Sequence, residues 1–400
     1  MVYMAGDNDL SAAGDADLEE MRQVGSTEQV NVLVEFDNAG DQGTRRMRIG
    51  KNGEGESVDS LDETDSGDPD VLSSFISWAA ENYPAERYAL ILWNHGGGWE
   101  PAEVDRIARK VKSPGYNGRE LTERSSSSLG RVMFRTSLEK VFKLSGPAER
   151  AICSDDGSGH SLDTIELGNV IAKGAEAIGQ RFDLLGMDAC LMSNLEVAYQ
   201  VREHVRYVVA SEENEPGEGW PYERILGRLV ADPGIASADF ASQIVHDYID
   251  WYKEVDFGDM VTQAAMDLDK LSQLTGPLDD FSGRLTSAMV SVDSYIWKAQ
   301  RNSTRFWQNT LWDLGHFCAE FERVCTHDVI RQSAAAVFAA LEPGVGRFMV
   351  AEAHHGEKVK HCHGVTIYMP PPITEVSQFY RELDFTENHT WAEMLAAYHA

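Results

Sequence analysis

No run in this chain approaches the roughly 18 uncharged apolar residues that a membrane helix needs, so no spanning helix is expected and the chain should be soluble. Cysteine is scarce: five residues in 400, an odd set (Cys153, Cys190, Cys318, Cys325, Cys362). That does not suggest a disulfide scaffold and leaves at least one thiol unpaired. Positive charge is also short, with 35 Lys and Arg against 65 Asp and Glu and a net charge of −30. Non-specific nucleic-acid binding is disfavoured, and cationic partners or simple solubility are favoured. There is no internal repeat, and no low-complexity tract beyond the four serines at 125–128. No two glycines are four residues apart, so the Gly-x-Ser-x-Gly elbow of esterases is excluded although His95-Gly96-Gly97-Gly98 resembles an esterase oxyanion motif. There is no room for a signal peptide before residues 2–7, which already look like the tail of a first strand. The expectation is a cytoplasmic protein, or a secreted or cell-envelope one whose leader lies upstream of this sequence.

What is present suits one large catalytic domain or two, with ample length for a core. Residues 1–230 alternate between strand-like and helix-like stretches, which predicts an α/β fold with a mostly parallel central sheet covered by helices. Predicted strands are 2–4, 30–36, 88–93, 184–187 and 207–210. Asp68 as N-cap and Pro69 at the first helical position open a helix through Ala79. Leu191, Leu195, Ala198 and Tyr199 share one face of a helix predicted to begin at Cys190. Residues 231–400 read as mainly helical (240–252, 268–289, 329–341, 390–399), with a late strand at 364–369 stopped by Pro370-Pro371-Pro372. Between 101 and 150, eleven Lys and Arg stand against six Asp and Glu, which predicts a long exposed insertion of the kind that is functional or disordered.

Two strand ends carry the chemistry. Tyr88-Ala89-Leu90-Ile91-Leu92-Trp93 runs into Asn94-His95-Gly96-Gly97-Gly98, and Phe182-Asp183-Leu184-Leu185-Gly186-Met187 runs into Asp188-Ala189-Cys190. In open α/β sheets ligands bind at the carboxyl ends of the strands, so a His and a Cys delivered there suggest a thiol nucleophile with a general base. A helix starting at Cys190 would lower the thiol pKa. The amides of Gly96 and Cys190 are the candidate oxyanion donors. A buried structural Cys190 and a satisfied loop His95 are the plainer alternatives for each residue alone. Their joint placement argues against both.

The segments Val2-Tyr3-Met4-Ala5-Gly6-Asp7-Asn8-Asp9-Leu10, Leu90-Ile91-Leu92-Trp93-Asn94-His95-Gly96, Asp188-Ala189-Cys190-Leu191-Met192, and Ala210-Ser211-Glu212-Glu213 with Pro216-Gly217-Glu218-Gly219-Trp220 resemble the clostripain family of cysteine peptidases. That family shares a clan with caspases, gingipains, legumain and separase. The resemblance runs in order over about the first 225 residues and resumes at 364–370. It implies a caspase-like α/β/α sandwich, a His95–Cys190 dyad and cleavage after Arg or Lys. It also implies maturation by self-cleavage between the His and the Cys, for which Arg109, Lys110, Lys112, Arg119, Arg124, Arg131 and Arg135 are candidates. Asn94, where many relatives have Asp, and His160 depart from the pattern.

A basic side chain entering a partly desolvated pocket needs a carboxylate. Asp188 resembles the family's specificity aspartate, and Glu218 is the second candidate, with Asp7 and Asp9 behind it. Glu212 and Glu213 are expected to be solvated or to stabilise a loop. His354, His355, His361, Cys362 and His363 crowd one stretch, but their spacing matches no zinc motif, and a polar loop before the last strand is expected. No cofactor is expected. Calcium, which some relatives need, would have the acidic run 60–68 as its candidate, although capping alone explains Asp68. Polypeptides with Arg or Lys at the cleavage site are the expected partners, and neither nucleic acid nor membrane is. The alternative from another class is a catalytically silent relative that binds peptides or partners through the same cleft.

Overall fold

The computed structural model describes residues 1–7, 10–38, 43–62, 64–99, 162–255 and 260–400. The insertion 101–150 with its candidate processing positions, Asp9, Cys153 and His160 lie outside the described residues. The strands are β1 (Val2–Gly6), β2 (Leu33–Asn38), β3 (Thr44–Arg48), β4 (Ser57–Ser60), β5 (Ala89–Trp93), β6 (Phe182–Asp188), β7 (Val205–Ala210), β8 (Val261–Asp267), β9 (Leu311–Asp313), β10 (Met349–His355) and β11 (Thr366–Tyr368). The helices are α1 (Ser11–Val24), α2 (Pro69–Asn82), α3 (Thr164–Ile178), α4 (Leu195–Val201), α5 (Tyr222–Ala231), α6 (Ser237–Glu254), α7 (Ser272–Asn302), α8 (Leu314–Val324), α9 (Asp328–Ala340), α10 (Asp384–Asn388) and α11 (Trp391–Tyr398). They form two compact units whose sequences interleave: Met1–Phe182 with Gly217–Pro233, and Asp183–Pro216 with Gly234–Ala400.

In the first unit the strand order is β5-β1-β2-β3-β4. β1 lies parallel to both β2 and β5, with Met4 opposite Phe36 on one side and Trp93 on the other. β1 is buried along its whole length, as expected for a strand covered on both faces. Each fully buried Val, Leu or Phe side chain of this sheet, such as Val34, Phe36 and Leu92, contributes about 1.5–3 kcal/mol. The antiparallel β3 and β4 complete the sheet and were not legible in the sequence, because β3 is Thr-Arg-Arg-Met-Arg and all of β4 is exposed. α2 packs against α3, and α1 against α5. Asp68 caps α2 as expected, its carboxylate accepting from the Asp70 amide at 2.8 Å. Asp163 and Glu166 form a capping box at the start of α3, and Leu167, Val170, Ile171, Gly174 and Ala175 give it one buried face.

In the second unit the order is β6-β7-β8-β10, and β9 with β11 forms a separate two-stranded sheet. β8 runs antiparallel to β7 and β10, and α6 covers them. α7, α8, α9 and α11 pack together as the C-terminal helices. Central parallel strands flanked by helices, with helices dominating the later sequence, are what the sequence predicted. Four expectations need correction. The helix predicted at 268–289 begins at Ser272 and continues to Asn302, after β8 and a short turn of 3₁₀ helix. The late strand is shortened to β11 and pairs with β9. His354 and His355 lie in β10 rather than in a loop, because β10 hydrogen-bonds along β8 whatever the polarity of its side chains. The fourth correction concerns the helix after Cys190.

Candidate active site

β6 is seven buried residues, Phe182-Asp183-Leu184-Leu185-Gly186-Met187-Asp188, and Asp188 is its last. The chain then turns through Ala189 and Cys190, and Leu191 adopts a left-handed φ of 65°. This breaks the helix expected at the cysteine. α4 instead starts at Leu195, capped by the Asn194 side chain, which accepts from the Val197 amide at 3.2 Å. A helix dipole acts within its first turn, so it does not bear on a thiol five residues upstream. The local field at the sulfur comes from elsewhere: the Glu215 amide donates to Cys190 Sγ at 3.3 Å.

The turn is held by chain distant in sequence. Leu191 N donates to Glu213 O at 3.2 Å, and Ser193 N to Ser211 O at 2.8 Å. Ser193 Oγ donates to Gly364 O, and Thr366 N to Ser193 O at 2.9 Å. The 211–213 segment is itself fixed by Thr262 of β8. Its Oγ1 accepts from Glu212 N at 3.0 Å and Glu213 N at 3.1 Å, and pairs with Ser211 Oγ at 2.9 Å. Glu212 and Glu213 are buried, so the solvated role expected for them does not hold, while the loop-stabilising one does. Burial, reinforced by the Asp313 charge, pushes the Glu212 carboxyl well above the usual range. Its Oε2 accepts from Gly364 N at 2.9 Å. Gly364 has a φ of 88°, and an added Cβ would approach Met349, Ala264 and Glu352 to 2.8–3.0 Å, so only glycine brings its amide this close.

Beside the sulfur the sequence missed an acid. Glu215 Oε1 accepts from Gln263 Nε2 at 3.3 Å. The phenol of Tyr248 on α6 is fully buried, and burial first, then the negative charges of Glu215, Asp188 and Cys190 among others, raise its pKa well above 10. Asp188 and Glu215 therefore share one electrostatic neighbourhood with the thiol. Glu215 carried no motif of its own, and only its position at the end of the Ser211–Glu215 bend could have singled it out. Among the described cysteines Cys190 alone is not buried.

In the first unit, β5 ends at Trp93, whose indole donates to the buried Asp17 carboxylate at 2.7 Å. Asn94 follows, its side-chain oxygen accepting from the His95 amide at 2.6 Å, and His95 and Gly96 are half-buried. The loop turns at Gly98, whose φ is 63°, and Trp99 is buried behind it. Glu218 lies exposed in a turn of the same unit, and Asp7 is exposed after β1. The described geometry thus gathers Cys190 and Asp188 with Glu215 in one unit, and places His95, Gly96 and Glu218 in the other.

Comparison with known proteins gives a consistent result. Clostripain of Hathewaya histolytica is 31% identical over 185 residues, 44% of this chain. The chain spans only 27% of that curated relative's length. Three solved structures share the fold. One is a secreted C11 cysteine protease, iotapain, of Bacteroides thetaiotaomicron, at a TM-score of 0.66 and 15% identity, covering 97% of both chains. Another is that organism's secreted C11 protease in complex with an irreversible peptide inhibitor, at 0.63 and 19%, covering 98% of this chain and 97% of that one. The third is an inactive zymogen of a C11 protease from Parabacteroides distasonis, at 0.63 and 17%, covering 97% and 96%. The sequence model of the clostripain family matches residues 2–120 and 141–398. The chain belongs to the clostripain family.

Proposed function

We propose that this chain is a cysteine endopeptidase that cleaves polypeptides after Arg or Lys, with Cys190 as nucleophile and His95 as general base. The observation that carries the proposal is the setting of Cys190: a thiol that is not buried, on a sharp turn at the end of β6, with the Glu215 amide directed at its sulfur. Glu215 faces the sulfur with both backbone groups, its amide donating to Sγ at 3.3 Å and its carbonyl accepting from the thiol at 3.8 Å, and the thiolate is the form that attacks. In the proposed cycle the sulfur attacks the scissile carbonyl carbon, and the oxyanion is met by the amides of Gly96 and Cys190. His95 hands the proton to the leaving amine, then activates water to hydrolyse the thioester. Asp188, with Glu215 and Glu218, supplies the negative charge that a guanidinium or ammonium requires. The peptide-inhibitor complex of the Bacteroides relative supports polypeptide substrates, and its secretion supports an extracytoplasmic location.

The basic 101–150 segment is proposed to be cut by the enzyme itself, since tethering beside an Arg/Lys-specific site raises the effective concentration of its own cleavage points. The zymogen form of the Parabacteroides relative supports such maturation. Treatment with an arginyl chloromethyl ketone followed by intact mass measurement tests the chemistry. A single adduct that disappears in Cys190→Ala is expected. Well-folded wild-type protein that takes no label would favour the silent, peptide-binding alternative. Electrophoresis of the same samples tests processing: two associated fragments in wild type and one chain in Cys190→Ala are expected. An intact, fully active wild-type chain would refute self-activation alone.

A further inference from the structure

A buried pair of carboxyls lies in the same unit as Cys190, outside the proposed chemistry. Glu212 and Asp313 are 1% and 0% exposed, and their side chains are hydrogen-bonded to each other. Asp313 also accepts from the His316 amide at 2.5 Å, the His363 amide at 2.6 Å and His363 Nδ1 at 3.1 Å. An ionised carboxyl offers about four acceptor sites and no donor. Three of those on Asp313 meet N–H groups, and what remains faces Glu212, which can bond to it only by donating a proton of its own. Burial opposes the Asp313 anion, but the bond and charge of His363, with Glu212 and the His316 amide, outweigh it and hold this carboxyl below the usual range. Burial likewise opposes the His363 imidazolium, and the Asp313 bond and charge prevail to raise its pKa. Three further titratable groups face the pair. Glu352 on β10 adds negative charge, burial holds Cys362 as a thiol, and burial lowers His316 on α8 toward its neutral form.

We propose that Glu212 is a positioning residue for Cys190 that works as a neutral carboxylic acid, donating to the Asp313 carboxylate while accepting from the Gly364 amide. Its bearing on catalysis rests on Cys190 being the nucleophile; the proton and its hold on the turn do not. The hydrogen bonds close a ring around that turn. Gly364 N donates to Glu212 Oε2, and Ser193 Oγ donates to Gly364 O. The carbonyls of Ser211 and Glu213, on either side of Glu212, hold the Ser193 and Leu191 amides. When the Glu212 proton leaves to solvent, two buried anions face each other across the former bond. Glu212 is then driven from Asp313, its hold on Gly364 weakens, and the ring loosens. The folded chain keeps a proton that the unfolded chain has released, so this stabilisation is complete at low pH and is lost as pH rises through the Glu212 ionisation.

An amide in place of each acid locates the proton. Glu212→Gln gives Asp313 a permanent N–H donor and keeps the acceptor for Gly364 at every pH, whereas Asp313→Asn sets an NH₂ group among N–H donors. Urea titrations of the full-length chain in a Cys190→Ala background are run between pH 5 and 8. The folding constant of the parent should fall relative to that of Glu212→Gln by about tenfold for each pH unit over which the folded chain keeps the proton. Asp313→Asn should be the less stable of the two variants throughout. Positioning is read with Cys190 present, as the rate of its alkylation by iodoacetamide followed by peptide mass mapping. That rate should change several-fold in Glu212→Ala, which lacks both bonds, and return to the parent value in Glu212→Gln. Parallel pH dependences of parent and Glu212→Gln, or a Glu212→Gln chain that does not fold, overturn the proton assignment. An unchanged alkylation rate in folded Glu212→Ala, or no recovery in Glu212→Gln, overturns the positioning role. A chain that cleaves no peptide refutes the peptidase reading and leaves both of these comparisons decisive.

Discussion

Thr262→Val isolates the support of the turn that carries Cys190. Valine keeps the shape of the buried Thr262 side chain but removes the oxygen that accepts from the Glu212 and Glu213 amides. A buried donor left unsatisfied costs about 1–3 kcal/mol. Two donors, with partial relaxation, give about 2–5 kcal/mol. In units of this size each kcal/mol lowers the melting temperature by about 2–4 °C, so a drop of about 5–15 °C is expected by calorimetry in a Cys190→Ala background. With Cys190 present, the rate of alkylation by iodoacetamide should also change, because Glu213 O holds the Leu191 amide and the Glu215 amide lies on the sulfur. Thr262→Ser keeps the oxygen and loses a methyl, and should cost only about 1 kcal/mol. A loss below about 0.5 kcal/mol in Thr262→Val, the range of inconsequential surface changes, with alkylation unaltered, would refute the claim that this hydroxyl holds the 211–215 bend.

Two further outcomes are expected. On the proposed specificity, Asp188→Asn and Glu215→Gln would each remove a charged partner of the substrate worth about 1.5–3 kcal/mol, so kcat/KM for an Arg substrate should fall about 10- to 150-fold while Cys190 alkylation persists; equal loss in both assays would mean structural damage instead. Burial raises the Glu196 carboxyl to about 7, so the folded chain holds a proton that the unfolded chain has released. Stability should therefore fall as pH rises from about 4.5 to about 7, by up to about 3 kcal/mol, and level off above. Glu196→Gln keeps the acceptor for the Tyr368 amide and the Tyr380 hydroxyl and should flatten that slope. Glu35, which burial likewise raises to about 7, would leave a remainder, and an unchanged slope in urea titrations at pH 5 and 8 would contradict the assignment.

The buried parallel strands were legible because their signal is local. Tyr88–Trp93 and Phe182–Met187 are apolar runs that end in residues a core would not keep, and those residues are the proposed dyad and Asp188. The Asp68 cap was legible for the same reason, since the capping oxygen and the amide it serves are two residues apart. The edge strands β3 and β4 were not, since the sheet pairs backbone amides regardless of side-chain polarity. Nor was the end of β6: Leu191, Leu195, Ala198 and Tyr199 have helical spacing, but the first of them is buried from a turn with left-handed φ rather than from a helix. Periodicity reports which residues are buried, and a turn can bury a leucine as well as a helix can.

Glu215 shows where such reasoning stops. Its amide reaches Cys190 across 25 positions of sequence, and its carboxylate is held by Gln263, 48 positions further on. Likewise the Glu212 carboxyl acts on Gly364, 152 positions away. In each case the residue doing the positioning is an ordinary Glu, Gln, Thr or Gly, with no spacing that marks it. Cys190 and its neighbour Asp188 drew attention because one strand end presents them together. The groups that fix the geometry of that strand end lie on β8 and before β11, and folding alone brings them there. A substitution at Thr262 or Gly364, far from any motif, should therefore disturb Cys190 more than a substitution at the exposed Glu218.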